Sequence, residues 1–224
     1  MTTNLKITLT IAAVMAAIIA AFTVFGDFGT QSTRPAADAA GAQSAPAQLL
    51  VREDSHKLST AADGKVTLVE FLDFECEACG AAFPHMERIR AEYDGRITVV
   101  VRYFPLPGHR NGELAARVAE AAAKQGKFEA MHAKLFQSQK QWGEASESKE
   151  AFFTDLAQQV GLDMTAFSTD LTAPATAQRV RKDQDDGTAL GIQGTPTIFF
   201  NGAQLTEAPS YDNLKAKIDA ALAS

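Results

Sequence analysis

The chain reads as an α/β fold carrying an all-helical insertion. Three features point there. A strand–helix–strand unit fills residues 66–104, residues 110 to about 190 show helical periodicity without strand character, and a short hairpin plus a last helix closes the chain. A long apolar stretch and a polar spacer precede all of this.

From the N-terminus, Ile7 to Phe25 is 19 residues without a charge, preceded by Lys6 and followed by Asp27. As a helix it would be about 28 Å long at roughly 1.5 Å per residue, close to the bilayer hydrocarbon thickness. The charge order keeps the short N-terminus inside and exports the rest. Residues 1–29 are therefore read as an uncleaved single-pass signal anchor in the cell membrane, with the remaining chain on the extracytoplasmic side. The alternative is a cleaved signal peptide and a secreted product, for which Ala37-Asp38-Ala39 offers a small-x-small pattern some way past the apolar run. Residues 30–48 are Ala, Ser, Gln and Pro with almost no large apolar side chain, too little to offset ordering entropy. They are read as a flexible tether with an r.m.s. reach of roughly 25 Å. The folded domain is then 49–224, enough for one buried core with a subdomain.

Within it, Asp63-Gly64 turns the chain into Val66–Leu72, a run rich in β-branched and aromatic residues that predicts a strand. Gly80 to Tyr93 follows with Phe83, Met86 and Ile89 at helical spacing and Pro84 inside, ended by Asp94-Gly95. Arg96–Phe104 is a second, more continuously apolar strand, and the strand–helix–strand order implies a right-handed crossover and parallel pairing. The insertion is expected to hold four or five helices, with apolar periodicity over 114–123, 128–136, 152–160 and 175–190, punctuated by Gly126, Gly143, Gly161 and Pro174. Thr197–Phe200, Asn201-Gly202 and Ala203–Leu205 form a hairpin signal, and Tyr211 to Leu222 is an amphipathic helix.

The chain has 224 residues, 46% hydrophobic and 21% charged, with a net charge of −6 and no basic patch, so nucleic acid is not an expected partner. Its two cysteines are its most informative residues. Cys76 and Cys79 stand three apart in Phe74-Glu75-Cys76-Glu77-Ala78-Cys79-Gly80, between the first strand and its helix. A sulfur at a helix N-terminus meets unpaired N–H groups and the positive end of the helix dipole, which favour a thiolate. Its partner one turn on is placed to attack it. A zinc site would need four ligands, and there is no second cysteine pair; a structural staple across two residues would stabilise little. Thiol–disulfide exchange is the chemistry this pattern favours, with Cys76 the exposed nucleophile and Cys79 the buried resolving thiol.

This order of motifs, ending in Gly194-Thr195-Pro196-Thr197 before the hairpin, resembles the DsbA-like thiol–disulfide oxidoreductases of the thioredoxin superfamily. The resemblance covers about residues 49–224. Glu70 stands six residues before Cys76, where those proteins have a buried acid; Pro84 stands eight after it, where they have a kinking proline; Phe104-Pro105-Leu106-Pro107-Gly108-His109 also looks like exported bacterial members. The resemblance implies a thioredoxin-like fold and a cis peptide at Thr195-Pro196, facing the cysteines and presenting backbone to bound peptide. It implies a protein oxidase acting on newly exported, unfolded or reduced proteins, monomeric and without a cofactor or metal of its own. It further implies reoxidation by a quinone-coupled membrane partner of the DsbB or vitamin-K-epoxide-reductase type. Glu70, in an otherwise apolar strand, is expected to be buried with a raised pKa and to exchange a proton with Cys79; the plainer reading is a solvent-facing residue. Phe74 is read as part of an apolar peptide-binding patch. Trp142 is read as packing, and His85, His109 and His132 as surface or helix-cap residues.

The residues between the cysteines depart from the Pro-His of well-known DsbA oxidases. Here they are Glu77 and Ala78, and Glu75 adds a second flanking acid. Negative charge beside Cys76 opposes the helix dipole and limits the fall of its pKa, giving a less oxidising couple. A reductase or isomerase of the same fold, or a non-enzymatic binder of unfolded chains, are the alternatives. Replacing Glu77 by His is expected to make the couple more oxidising in glutathione equilibration; an unchanged equilibrium contradicts this charge argument.

Overall fold

The computed structural model describes residues 45–224. The expected anchor and most of the expected tether lie outside them. The tether's last residues, by contrast, are folded. Ala47–Leu50 forms a short helix, α1, and the Ala45 N–H donates to the Gly202 carbonyl at 2.8 Å. The ordered domain thus begins before the expected Leu49. Composition marked this stretch as tether, and its order comes from contacts with distant parts of the chain. Among the described residues no helix is long and apolar enough to cross a membrane.

The sheet has five strands in the order β1-β3-β2-β4-β5. They are β1 His56–Ser59, β2 Thr67–Leu72, β3 Thr98–Tyr103, β4 Thr197–Phe200 and β5 Ala203–Gln204. β2 and β3 run parallel, joined by helix α2 (Glu77–Glu92), as the strand–helix–strand order requires. The hairpin β4–β5 adds antiparallel to β2, and Asn201 and Gly202 turn it with φ of 47° and 87°, the left-handed pair that a two-residue hairpin demands. β1, which the sequence reading missed, pairs antiparallel with β3 at the sheet edge. It is only four residues, three half-buried and one exposed, with an irregular register, too short for an alternation signal.

β2 is buried on both faces, so apolar continuity replaces alternation. Leu68 joins Met86, Ile89, Leu214 and Ile218 beneath α2 and the final helix α8 (Tyr211–Ala223). Val69 and Phe71, on the opposite face, pack with Leu50, Phe104, Ile192 and Phe199. The insertion contains five helices: α3 Gly112–Ala123, α4 Phe128–Ser138, α5 Glu150–Val160, α6 Met164–Thr172 and α7 Pro174–Ala189. Four match the periodic segments. The fifth, α6, occupies the gap between Gly161 and Pro174 and is capped by Asp163, whose side chain accepts from the Ala166 N–H at 2.9 Å. The helices cover the end of the sheet that carries the cysteines, sharing a core with Leu72, Phe74, Cys76, Cys79 and Tyr103.

One buried charge network fixes the insertion to the sheet. Arg102 of β3 is fully buried, donates to Asp183 at 2.7 Å and to Asp186 of α7, and also donates to the carbonyls of Leu49 and Leu50. Arg52 pairs with the same Asp186, and Arg179 with Asp183 at 2.6 Å. α1, β3 and α7 thus meet at one guanidinium, and that contact explains the order in a stretch composed like a linker. Removing one member strands buried charges of the other sign, a loss of about 3–5 kcal/mol. Arg102→Leu is expected to lower unfolding free energy by about that amount in urea titration; a loss below about 1 kcal/mol contradicts the network's role.

Candidate active site

Cys76 is the N-cap of α2, with extended backbone (φ −66°, ψ 122°), and its carbonyl accepts the Gly80 N–H at 3.0 Å. Its sulfur therefore sits at the mouth of the helix among the free first-turn N–H groups. Both thiols are free. Cys79 is wholly buried and Cys76 retains 7% exposure, so the expected exposed nucleophile is itself largely buried.

The two sulfurs are electrostatically unequal. Cys76 is lowered to about 5, chiefly because the Cys79 thiol donates to it; the Thr195 side chain and the N–H groups of Ala78 and Cys79 add to this, against burial. Cys79 is raised well above its ordinary value, by burial first and then by its donation to Cys76 and the nearby charges of Glu70 and Cys76. Cys76 falls between the roughly 7 of thioredoxin and the roughly 3.5 of DsbA. Such a pair holds one thiolate and one thiol at neutral pH, as the attacking and resolving roles require.

The Thr195–Pro196 peptide is cis and lies against Cys76. Cys76 Sγ lies 3.3 Å from the Thr195 carbonyl oxygen, and the buried Thr195 hydroxyl has no other partner. Pro196 is half-buried at the start of β4, where a missing N–H disturbs no ladder.

Glu70 is 5% exposed in the middle of β2 and is raised to about 8, by burial and then by the charge of Glu87. It is not the solvent-facing residue of the plainer reading, and its charge acts on Cys79. A carboxyl that is neutral near pH 7 beside a buried thiol can hold or release a proton there.

Three of the expected placements change. Phe74 is 1% exposed and packs among Tyr103, His132 and Phe136, so it is core and not part of a surface patch. Glu75 is 3% exposed, and its carboxylate accepts the backbone N–H groups of Asn111 at 2.6 Å and Glu144 at 3.1 Å. Besides carrying its charge, it is a bracket joining the active-site loop to the start and the middle of the insertion. Glu77 and Ala78 remain exposed on the first turn of α2. His132 is buried in an aromatic cluster and lowered to about 3, by burial and then by the charges of Arg90 and His56, which corrects its surface assignment. Trp142 is fully buried against Phe153, a packing residue.

Sequence reasoning missed Gln139 and Asp73. The Gln139 amide, from the 3₁₀ turn Gln139–Gln141 after α4, donates to the carbonyls of both Phe74 and Cys76 at 2.8 Å. A Cβ at Gly80 would lie 2.0 Å from Gln139 Oε1, so glycine there is what lets the clamp close. Asp73 accepts the Glu75 N–H at 2.9 Å and the Leu106 N–H at 2.8 Å, and its carbonyl takes the Cys76 N–H at 3.1 Å. An Asp three residues before a cysteine pair, ahead of a helix, is a turn-capping signal that could have been read.

Comparison with known proteins agrees with this geometry. A family model described as thioredoxin matches residues 59–220. A thioredoxin-like oxidoreductase from Silicibacter pomeroyi is 28% identical and superposes with a TM-score of 0.67 over 80% of this chain and 99% of that one. Wolbachia pipientis alpha-DsbA1 shares the fold, with a TM-score of 0.69 at 19% identity over 79% and 95%. Among curated sequences, a Na(+)/H(+) antiporter NhaA of Herminiimonas arsenicoxydans is 38% identical over 150 residues, but this chain spans only 22% of its length. A family match through most of the folded domain, solved neighbours of the same architecture and an unequal sulfur pair under a cis-proline lead to one conclusion: the chain belongs to the thioredoxin family and is a thiol–disulfide oxidoreductase of DsbA-like fold.

Proposed function

We propose that the chain is a protein thiol oxidase that forms disulfides in newly exported proteins. The observation that carries the direction is the unequal pair, Cys76 lowered to about 5 and Cys79 raised. A thiolate stabilised in the dithiol form lowers the free energy of that form at every pH above about 5. The disulfide is correspondingly the better oxidant.

The chemistry follows from the arrangement. A substrate thiolate attacks Cys76 Sγ of the disulfide form, the Cys76–Cys79 bond breaks, and its electron pair leaves on Cys79, which takes a proton. Glu70, a buried acid raised to about 8 whose charge acts on Cys79, is a source of that proton. The substrate's second thiolate then attacks its own sulfur in the mixed disulfide. Cys76 departs as the stabilised thiolate, leaving oxidised substrate and a dithiol protein. The Thr195 backbone, just ahead of β4 and against Cys76, is suited to pair with an extended substrate strand. Reoxidation of the dithiol is assigned to a quinone-coupled membrane protein, met by a domain held near the membrane by the N-terminal span; the sequence order of anchor, tether and domain supports that setting. Antiport is not proposed, because this chain covers under a quarter of the antiporter it matches.

The direction of flow is tested by acid quench of the anchored protein in cells, followed by alkylation and mass analysis. The oxidase predicts mostly disulfide protein, with Cys76→Ala unable to refold reduced RNase. Mostly dithiol protein, with brisk insulin reduction, would mark a reductase; full function in the Cys76→Ala variant would mark a binder.

A further inference from the structure

The exchange steps leave one polar group at the site unused. His109 closes the loop between β3 and α3, and its Nδ1 lies 2.6 Å from Asp73 Oδ2. The Asp73 side chain is fully buried, whereas that of His109 is 30% exposed. Because Asp73 also accepts two backbone N–H groups, it holds the ring with Nδ1–H inward and leaves Nε2 outward. The pairing is built in closely: a Cβ at Gly112 would come within 2.6 Å of Asp73 Oδ1. His109 and Cys76 line one cavity of about 530 Å³, together with Glu77, Ala78 and Arg110.

We infer that His109, oriented by buried Asp73, is the acid–base residue for the substrate thiols exchanged at Cys76. This rests on the exchange reading above and adds to it the residue that handles the substrate's proton. The two cysteines carry no histidine between them, and the loop after β3 supplies one from the side. In disulfide formation neutral Nε2 takes the proton of the entering thiol as its sulfur bonds to Cys76 Sγ. The Cys76–Cys79 bond breaks, and Cys79 keeps the electron pair and is protonated. The second substrate thiol loses its proton to solvent as it displaces Cys76. Two thiols thus yield one disulfide, two electrons on the Cys76 thiolate and Cys79 thiol, one proton on Cys79 and one carried off through His109 and water in each turnover.

The charges around the ring suit that task. Burial works to lower the His109 pKa, but the hydrogen bond and charge of Asp73, with the charges of Cys76 and Glu75, outweigh it and raise the value. Glu77 and Glu144 face the same cavity from α2 and from the insertion, opposite the cation Arg110. The Cys76 contribution is present only when that sulfur is a thiolate, so His109 holds its proton more firmly in the dithiol form and releases it more readily in the disulfide form. That is the state in which it must act as base.

The test is stopped-flow formation of the mixed disulfide between the disulfide form and a dithiol peptide from pH 5 to 9, for wild type and His109→Gln, whose amide keeps the hydrogen bond to Asp73. With His109 as base, the wild-type rate levels off once that ring is neutral, before the peptide thiol itself ionises. The variant is at least about tenfold slower at pH 6 and keeps rising until the peptide thiol itself ionises near pH 8.5. Superimposable profiles, with normal exchange, overturn the role of His109 alone; a wild type that forms no mixed disulfide at any pH overturns the exchange reading and this one with it. A second measurement needs no variant: NMR titration of the His109 ring in intact protein is expected to give a higher midpoint in the dithiol form, and equal midpoints in both redox forms would overturn the inference.

Discussion

Two sulfurs one helical turn apart, in a pocket with little water, resist carrying two negative charges at once. Ionising the one at the helix mouth makes its neighbour a donor and drives that neighbour's own ionisation out of reach. The site's behaviour depends on this constraint. Because Cys76 caps α2 and Cys79 lies inside it, the backbone decides which sulfur carries the charge. Thr195, delivered from the far side of the chain by the start of β4, adds its hydroxyl as a donor to the one that does. Glu70 lies on the other side, beside the sulfur that stays protonated. Position in the fold, more than the identity of the two intervening residues, sets the inequality of the pair.

The helical insertion serves this geometry as much as it extends the core. Its members reach back to the active-site loop at three points: Gln139 on the carbonyls of Phe74 and Cys76, and Asn111 and Glu144 on the carboxylate of Glu75. Arg102, Asp183 and Asp186 hold its last helix to β3. The turn that leads into the cysteine pair is thereby fixed by polar groups from outside it. Satisfied buried networks of this kind specify one arrangement, because any slip leaves a carboxylate or a carbonyl without its partners.

Much of this was legible in the sequence, for reasons that differ from element to element. β2, α2 and β3 showed as an apolar strand, a periodic helix and a second apolar strand, since each buries a face with its own period. Asn201-Gly202 announced its hairpin through the positive φ that both residues adopt. The cysteine spacing fixed the chemistry, and the order of motifs pointed to the cis Thr195–Pro196 peptide opposite it. What stayed hidden was held by long-range polar contacts, which leave no periodic trace. α1 looks like linker because its order comes from Arg102 and Gly202, more than 50 residues away. Glu75 reads only as an acid flanking Cys76 because nothing local shows that its partners are N–H groups at 111 and 144. Phe74 and His132 were misplaced for the complementary reason: the aromatic cluster that buries them assembles from separate helices and strands.

The most direct test of the account is the thiolate titration of the dithiol protein, followed by absorbance at 240 nm and assigned with single Cys→Ser variants. The account predicts one sulfur, Cys76, ionising with a midpoint near 5 and the other, Cys79, still protonated at pH 9. A Cys76 midpoint close to the roughly 8.5 of a free thiol, or two sulfurs titrating together, would contradict it.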